Sequence, residues 1–376
     1  MLAAGTAAQA GFSAVGIGLP VLAPALRDRY DLSVSGVGVV LAAGGIGTLV
    51  TLVPWGLLTD RTGERRVLAG GLGLCALLVA AAAFAPGVVS LVILLALAGA
   101  AGASVSSASG SAVMRWFEPE ERGLALGVRQ TAIPAGGLVA ALVLPVAVAI
   151  GGTRAALLVL AALCGLGALV GAIVIRDGDA EEVVLDEAPW TLRDSRLWRL
   201  SAGSGLLVVA QVALIGFMVL FLHDERGFST GAAAGVLAAV QVLAVILRIG
   251  AGRLSDVLGA RIAPLRWVGL AIVVTLALCA ALVEAPAPLL VPALVVAGSL
   301  SMAWNGLSFA AAAELAGRAR SGSAIGVQQS ALAAMGAVAP IGFAAAVSVL
   351  SWRAAFGLAA AFPLAGWWLL GRLNER

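Results

Sequence analysis

The sequence predicts an all-α integral membrane protein with twelve transmembrane helices in two pseudo-symmetric six-helix bundles. Three observations lead to this prediction: 61% of the 376 residues are hydrophobic and only 11% are charged, long apolar runs follow one another, and motifs of the first half recur in the second. A soluble domain carries about 25% charged residues, which it needs to cover its surface. A bilayer-spanning helix needs about 20 mostly apolar residues, and many such runs are present.

The apolar runs are separated by short breaks that contain arginine, acidic residues, glycine or proline. Inside lipid the backbone must satisfy its own hydrogen bonds, so each run is predicted to be a helix. Breaks such as Pro86-Gly87 and Ala285-Pro286 carry little charge, but they end helices because proline and glycine interrupt the helical backbone. The predicted spans are residues 2–26, 34–58, 67–85, 89–114, 122–149, 154–175, 198–222, 231–254, 263–283, 288–313, 322–349 and 353–371.

One long polar segment, residues 176–197, divides the predicted spans six and six. The chain is therefore predicted to form an N-terminal bundle over residues 1–175, a cytoplasmic linker, and a C-terminal bundle over residues 198–376. A solvated tether is the preferred interpretation of the linker, because acidic residues crowd it. The alternative is a short amphipathic helix on the membrane surface, with Thr191 as its N-cap and Trp198 at its end.

Arginine supplies the basic side chains, since the sequence contains no lysine. In multi-pass proteins basic residues accumulate on the cytoplasmic side. With the N-terminus inside, sixteen arginines face the cytoplasm and five face outward, which predicts a cytoplasmic (inner) membrane protein with both termini inside. The sixteen are Arg61, Arg65, Arg66, Arg115, Arg122, Arg176, Arg193, Arg196, Arg199, Arg253, Arg261, Arg266, Arg318, Arg320, Arg372 and Arg376. The five are Arg27, Arg29, Arg154, Arg226 and Arg353.

The composition argues against several other classes of protein. The arginines are spread over many short breaks, so no nucleic acid partner is expected. Cys75, Cys164 and Cys279 each lie inside an apolar run, without the spacing of a metal site or a disulfide framework. With a single histidine, His223, the sequence offers neither a metal or cofactor site nor an acid–base pair, and the protein is predicted not to be an enzyme.

Two groups of residues in the first half recur in the second half at nearly one offset. The segment Gly56–Arg65 returns 196 residues later as the segment Gly252–Arg261, with glycine, aspartate, glycine and arginine at matching places. Charged and amide residues that keep one offset indicate duplicated halves of the same orientation, the parallel-repeat architecture of secondary transporters. The second group is Gly123, Gly127, Gln130 and Arg154, which return 199 residues later as Gly322, Gly326, Gln329 and Arg353.

The segment Gly56–Arg65 reads G-x-x-x-D-R-x-G-x-R and resembles the loop between helices 2 and 3 of the major facilitator superfamily. Its weaker copy, Gly252–Arg261, lies where that family carries it, between helices 8 and 9. The resemblance extends over essentially the whole chain, and it implies the major facilitator fold and transport by alternating access. Glu64 departs from the family pattern, which usually has a basic residue there.

The resemblance also implies that both copies gate the cytoplasmic side. Asp60 is expected at the partly positive N-terminus of a helix in the other half, near Gly322, and Asp256 is expected near Gly123. These contacts hold the cytoplasmic side shut in the outward-open state of the family. The alternative is that the charged residues only solvate a loop. The expected gating residues are Gly56, Asp60, Arg61, Gly63, Arg65, Gly252, Asp256 and Arg261.

Two arginines, Arg129 and Arg248, fall within predicted spans, where ionisable side chains are costly and mark functional sites. Both lie about 10–12 Å from the cytoplasmic boundary at 1.5 Å per residue. In the family fold helices 5 and 8 face one another across the central cavity, so the resemblance implies that the two arginines do the same. The alternative is that either side chain snorkels to the membrane interface.

Two guanidinium groups at one depth indicate an anionic solute, because arginine binds carboxylates bidentately. Arg248-x-x-x-Gly252 also resembles the helix 8 pattern of monocarboxylate transporters, where the arginine holds the substrate carboxylate. Other polar side chains of the spans are candidate co-ligands, and the alternative role of each is a hydrogen bond between helices. These candidates are Gln130, Thr131, Gln211, Gln241, Trp304, Asn305 and Gln329.

The sequence therefore predicts a secondary active transporter that moves a small organic anion, a carboxylate, and functions as a monomer. Since no acidic residue lies in the middle of a span, the coupled species is expected to be a proton carried with the substrate or an exchanged anion. The second hypothesis is efflux of hydrophobic drug-like compounds by proton antiport, which explains the apolar lining but not two buried arginines. A channel is the remaining alternative, and the repeated gate motifs favour alternating access over it.

Overall fold

Helices form all the regular secondary structure of the described residues, which are 2–116, 128–175, 194–317 and 321–373 of a computed structural model. This confirms the all-α prediction for that part of the chain. The helices are α1 Leu2–Tyr30, α2 Val34–Thr62, α3 Glu64–Ala82, α4 Val88–Trp116, α5 Ala132–Val174, α6 Ser195–Gln211, α7 Phe217–Asp224, α8 Thr230–Leu258, α9 Ile262–Ala281, α10 Ala287–Ala303, α11 Asn305–Ala316, α12 Ser321–Val349 and α13 Trp352–Leu370.

The helices α2 and α8 begin and end in the same way. Ser33 and Ser229 are their N-caps, and each hydroxyl accepts a hydrogen bond from the backbone N–H three residues later (3.1 and 3.2 Å). Both helices have 29 residues and end at a glycine of positive φ, Gly63 (89°) and Gly259 (60°), a conformation that favours glycine. Caps and turns thus recur at the 196-residue offset of the sequence motif, so the repeat is also one of local structure.

The described residues contain eleven helical segments long and apolar enough to cross a membrane, where the sequence predicts twelve. The difference arises in the segment Val128–Val174, which spans 47 residues. Its helix α5 is interrupted by non-helical dihedrals at Gly151 (φ −144°, ψ 22°) and Gly152 (φ 64°, ψ −162°). The break predicted between spans 122–149 and 154–175 therefore lies where the backbone leaves the helix.

Two predicted spans contain breaks that the sequence did not predict. Between α6 and α7 the backbone passes through a π-helical turn, Val212–Gly216. Between α10 and α11 the helix is interrupted at Trp304, whose indole N–H donates to the carbonyl of Ser301 (2.7 Å). Irregular turns inside helices free backbone groups and recur at functional sites. The second break contributes directly to the site described below.

Helices pack mainly against partners from their own half of the chain. α1 and α3 contact α5, and α4 contacts α2 and α3; in the second half α6 contacts α12 and α13, while α8 contacts α10 and α9 contacts α13. The most extensive contacts between the halves are those of α2 with α12, α5 with α8, and α1 with α7. The candidate functional site lies where α5 contacts α8.

The halves are in contact at one end of the molecule, here called the Asp224 end. There Arg27 of α1 forms an ion pair with Asp224 of α7, and the hydroxyls of Ser35 and Ser348 lie 3.0 Å apart. At the opposite end, called the Asp256 end, a Cβ added to Gly56 or Gly252 would meet no atom within 4 Å. This structure is therefore closed at the Asp224 end, and it leaves space around the two motif glycines at the other end.

The five arginines predicted to face outward all lie at the Asp224 end and hold other loops there. Arg29 donates to Thr153 (2.8 Å), Arg154 lies over the ring of Phe84 (4.4 Å to the centroid), and Arg353 pairs with Glu284 (3.1 Å). The group is completed by Arg27, paired with Asp224, and by Arg226, which donates to the carbonyls of Val283 and Ala285. Their common position agrees with the segregation of charge read from the sequence.

Candidate functional site

A carbonyl freed by a proline lies where α5 meets α8. Pro134 has no N–H, so the carbonyl of Gln130 lacks its usual helical donor four residues later. Thr131 keeps helical dihedrals (φ −68°, ψ −17°), so the backbone stays helical past the missing hydrogen bond. Arg248 of α8 donates a hydrogen bond from Nη1 to this carbonyl. The bond joins the first half of the chain to the second.

The rest of the Arg248 guanidinium is held at the break between α10 and α11. Its Nε and Nη2 donate to the carbonyl of Met302 (3.2 and 2.7 Å), and Nη2 also donates to Oδ1 of Asn305 (3.2 Å). Met302 belongs to the last turn of α10, where carbonyls lack helical donors. The side chain is buried, with 7% of its surface exposed. Arg248 is thus held by two backbone carbonyls and one amide.

These acceptors orient the Arg248 guanidinium without neutralising its charge. An arginine has five N–H donors, and the four hydrogen bonds of Arg248 leave one N–H of Nη1 without an acceptor among the described residues. No carboxylate of the described residues lies within ion-pair distance of it. A buried cation without a counter-ion is unfavourable, so the site favours an anion. An anion bound by two adjacent N–H groups must displace a present acceptor.

Arg129 is equally buried but belongs to a different hydrogen-bond network. Its Nε donates to Ser109 Oγ (2.7 Å), and its Nη2 donates to Gln9 Oε1 (3.2 Å) and to the carbonyl of Ser106 (3.0 Å). These partners lie on α1 and α4, within the first half of the chain. The described residues give it no carboxylate partner either. The two arginines are therefore held by separate sets of helices, although Arg248 bonds to the residue next to Arg129.

Of the predicted co-ligands, Asn305 contacts Arg248 through its side chain, whereas Gln130 contacts it through its backbone carbonyl. Trp304 is fully buried at the helix break, with its indole N–H already used. The hydroxyl of Thr131 donates to the carbonyl of Val128 (2.6 Å). Gln329 is half-buried on α12, and the described hydrogen bonds of the two arginines go to other residues. Two of the seven candidates thus lie at the Arg248 guanidinium.

The two other candidates carry buried amide atoms that have no hydrogen-bond partner in the described residues. Gln241 of α8 is fully buried, and neither of its amide atoms is bonded; for Gln211, the last residue of α6, this holds for Oε1. Gln241 packs against Gly137 of α5, where an added Cβ would lie 2.9 Å from its Cδ. Buried amides without a partner are rare in folded proteins. Both side chains therefore remain candidates for contact with a solute.

The gate motifs form turns at the Asp256 end. Gly63 ends α2 with its N–H bonded to the carbonyl of Thr59 (3.0 Å), and Nε of Arg65 donates to the carbonyl of Ala172 (2.6 Å). Arg61 is exposed in the last turn of α2. A Cβ added to Gly56 would meet no atom within 4 Å, so no described helix approaches closely there. The side chain of Asp60, the surroundings of Gly322 and the whole of Gly123 lie outside the described residues.

The second motif copy forms a small ion-pair cluster. Arg261 donates from Nη1 to Asp256 (2.5 Å) and to Ser255 Oγ (2.9 Å), and from Nε to Glu314 of α11 (2.7 Å). Burial by itself lowers the pKa of Arg261, but its hydrogen bonds to Asp256 and Glu314 outweigh this effect and raise the pKa. Asp256 is 68% exposed, so in this conformation its partner is the arginine of its own turn.

Sequence reasoning missed Gln9, Ser109, Met302, Pro134 and Glu314 as members of these networks. Two of them carried a readable signal. A proline inside a predicted span frees a carbonyl, and an acidic residue beside a predicted loop is a partner for an arginine in it. The contribution of Met302 comes from its backbone, and Gln9 and Ser109 are neighbours of Arg129 only in three dimensions.

Known proteins similar to this chain are membrane transporters. The family model described as Major Facilitator Superfamily matches residues 2–340. An uncharacterized MFS-type transporter of Mycobacterium tuberculosis (strain CDC 1551 / Oshkosh) is 35% identical over 353 residues, which cover 93% of this chain and 79% of that protein. The hexuronate transporter of Bacillus subtilis (strain 168) is 29% identical over 121 residues, which cover 32% of this chain and 29% of that protein.

Solved structures share the fold at low sequence identity. A bacterial homolog of the human lysosomal transporter Spinster, in an inward-facing and occupied conformation, superposes with a TM-score of 0.81 at 16% identity, covering 99% of this chain and 96% of that one. The nucleoside transporter NupG superposes with a TM-score of 0.78 at 14% identity, covering 99% of both chains. At these identities the likeness concerns the fold alone.

Proposed function

Because this chain belongs to the major facilitator superfamily, we propose that it is a secondary active transporter of a small organic anion, a carboxylate. Family membership makes it a multi-pass membrane transporter and not an enzyme. The observation that carries the finer proposal is the buried guanidinium of Arg248, which has only neutral acceptors among the described residues. A carboxylate provides the missing charge and a planar pair of acceptors.

Two further features support an anion. Arg129 is a second buried arginine without a described carboxylate partner, one residue from the carbonyl that Arg248 binds. The hexuronate transporter of Bacillus subtilis, similar over part of the chain, carries by its name a sugar acid. A hexuronate combines a carboxylate with hydroxyls, and the unpartnered amides of Gln241 and Gln211 suit hydroxyl groups. We therefore favour a hydroxylated carboxylate within the proposed class.

The proposal includes a count of twelve spans in two bundles, residues 1–175 and 198–376, joined by the linker 176–197. The support is the length of α5: its 43 residues measure about 65 Å at 1.5 Å per residue, against a hydrocarbon layer of about 30 Å. The interruption at Gly151 and Gly152 divides it into two lengths that each suit one crossing.

A ligand panel tests the proposed substrate class. We expect glucuronate, lactate or benzoate to raise the melting temperature of the purified protein, because a bound ligand stabilises by about 2.7 kcal/mol at a hundredfold excess over Kd. Glucose and sulfate serve as the neutral and inorganic controls, and Arg248→Ala should abolish the shift. A shift with ethidium and with none of the carboxylates would favour drug efflux instead.

We further propose that Asp60 and Asp256 gate the Asp256 end, as the repeated motif implies. Asp256→Asn should slow transport by about two- to thirtyfold, the range of a helix-end contact of 0.3–2 kcal/mol, while the melting temperature stays within about a degree or two, since an exposed ion pair contributes little. Asp60→Asn should have an equal or larger effect. Uptake into proteoliposomes is the measurement.

The matched control for the gate is Glu314→Gln, because Glu314 is the other carboxylate bound to Arg261. It removes a charge from the same cluster without touching the motif, so it should leave the transport rate unchanged. If Glu314→Gln slows transport as much as Asp256→Asn, the ion-pair cluster has a local structural role. If Asp60→Asn and Asp256→Asn both transport at the wild-type rate, the two aspartates have no gating role.

The proposed orientation places the Asp256 end and both termini in the cytoplasm. Single cysteines at Asp179 and Asn374 should resist impermeant thiol reagents in intact cells, whereas one at Glu284, which is 79% exposed at the Asp224 end, should react. The native cysteines are buried and give little background. Labelling of residue 179 or 374 from outside, with protection of residue 284, would reverse the orientation.

A further inference from the structure

The helices α5 and α8 run antiparallel and touch at two levels. Gln241 packs against Gly137 at one level, and Arg248 bonds to the carbonyl of Gln130 at the other. The two contacts are seven residues apart on each helix, about 10 Å at 1.5 Å per residue. The contact of Gln241 with Gly137, the upper contact, is one of close packing, and the Gln241 amide makes no hydrogen bond within the described residues. The contact of Arg248 with Gln130, the lower contact, is the one of the two that involves a charged group.

The lower contact depends on Pro134. If residue 134 had an N–H, that group would bond to the carbonyl of Gln130 as in any helix. The proline leaves this carbonyl to Arg248, whose three other hydrogen bonds all go to its own half of the chain, at Met302 and Asn305. The bond from Arg248 Nη1 to Gln130 is therefore the part of the network that ties the halves together.

We propose that the bond from Arg248 to the carbonyl of Gln130 is a latch that a bound carboxylate releases. Pro134 is then a positioning residue of the anion site. The inference rests on the proposed function, since it takes the solute to be a carboxylate. Four of the five N–H groups of Arg248 are occupied, and the free one belongs to Nη1, the nitrogen that also donates to Gln130. A carboxylate that binds at Nη1 therefore competes with the carbonyl of Gln130. Displacing this carbonyl leaves the contacts within the second half intact and removes the hydrogen bond between α8 and α5.

The exchange links binding to movement. Without an anion, the latch favours the conformation seen here, closed at the Asp224 end. With an anion, Arg248 binds the carboxylate, the halves lose this charged hydrogen bond between α5 and α8, and the molecule can rearrange with its cargo. The carbonyl of Gln130 competes with the anion for the same N–H group, so the measured affinity is lower than the intrinsic one by the fraction of unlatched protein.

The first test measures the latch without any ligand. Ser35→Cys and Ser348→Cys place two thiols where hydroxyls now lie 3.0 Å apart, in a background with the three native cysteines changed to alanine. The rate of disulfide formation reports closure of the Asp224 end. Pro134→Ala gives the Gln130 carbonyl a helical donor, so the equilibrium constant for closure should fall by roughly three- to tenfold, the range of one ordinary hydrogen bond, and this rate should fall with it.

The second test measures binding of glucuronate, lactate and benzoate by their effect on the melting temperature. Pro134→Ala should bind the stabilising carboxylate roughly three- to tenfold more tightly than wild type, because a competitor has been weakened. A gain of affinity is not what a damaged fold produces. The matched control is Pro145→Ala in the same helix. Pro145 frees the carbonyl of Ala141, which accepts no hydrogen bond from a side chain among the described residues.

The outcomes separate the latch from the proposed function. Slower cross-linking together with tighter carboxylate binding in Pro134→Ala, and neither change in Pro145→Ala, supports the latch. If wild type binds a carboxylate while Pro134→Ala matches it in either measurement, or Pro145→Ala shows the same changes, the latch is wrong and the anion site stands. If wild type binds no carboxylate of the panel, the proposed function fails, and the competition proposed here fails with it.

Discussion

Arg248→Lys is expected to lower uptake of the anionic substrate at least about a hundredfold, although the net charge is unchanged. The guanidinium reaches Met302 and Asn305 on one side and Gln130 on the other with four N–H bonds. An ammonium is a single point donor on a flexible stem and cannot bridge these acceptors and a carboxylate. A hundredfold loss corresponds to about 2.7 kcal/mol, which is within the range of one or two charged hydrogen bonds.

The measurement is uptake of labelled carboxylate into proteoliposomes, with the melting temperature followed in parallel. Arg248→Ala should lose both binding and movement, because an anion in an apolar cavity without a cation is desolvated without compensation. Arg196→Lys is the matched control, since Arg196 is 54% exposed at the start of α6. Arg129→Lys should have a smaller effect than Arg248→Lys, because the Arg129 network lies within one half of the chain.

Normal transport in both Arg248 variants would contradict the proposal. Arg248 would then have only a structural role, as a hydrogen-bond donor to the carbonyls of Gln130 and Met302. Efflux of hydrophobic compounds would become the better hypothesis. A loss of transport that parallels a loss of folded protein would point to the same structural role, and the melting temperature distinguishes this case.

Gly99→Val is expected to remove most of the folded protein. Gly99 of α4 crosses α2 at Gly44 and Gly47, where a Cβ added to Gly99 or Gly47 would lie closer than 3.0 Å to the backbone of the other helix. Backbone atoms cannot rotate away as side chains do, so the helices must separate. Forcing extra atoms into a packed core costs about 1–3 kcal/mol and sometimes more, and helix association in membranes depends on such close contacts of small residues.

Size-exclusion chromatography and thermal unfolding of the detergent-solubilised protein measure the effect. Gly70→Val is the matched control: Gly70 lies inside α3, is exposed, and would place a Cβ in open space. Both substitutions introduce the same β-branched residue into a helix, so the difference between them isolates the crossing of α2 and α4. Equal stability of the two variants would show that the crossing can relax, and the close approach would not be needed for folding.

Local and compositional features were predictable from the sequence. Span positions follow from apolar run length, and the ends of α2 and α8 follow from a serine before the run and a glycine after it. The repeat was visible because glycines and charged residues of the turns are needed in both halves. The count differed at Gly151 and Gly152, where two glycines kink the backbone between two helical lengths that together form one uninterrupted apolar segment.

The sequence by itself determined that this protein is a helical membrane protein with two duplicated halves and two arginines inside its spans. An apolar run long enough to cross the membrane, and a charged residue within it, can both be recognised from one segment of the chain. Only the tertiary structure decided what those arginines bind. Arg248 meets carbonyls freed by Pro134 and by the break at Trp304, which are 114 and 56 residues away, while Arg129 is held by α1 and α4. The physical reason is that every residue type carries the same backbone carbonyl, so the sequence does not show which carbonyl will accept a hydrogen bond from a side chain. The packing of the helices decides which guanidinium reaches it.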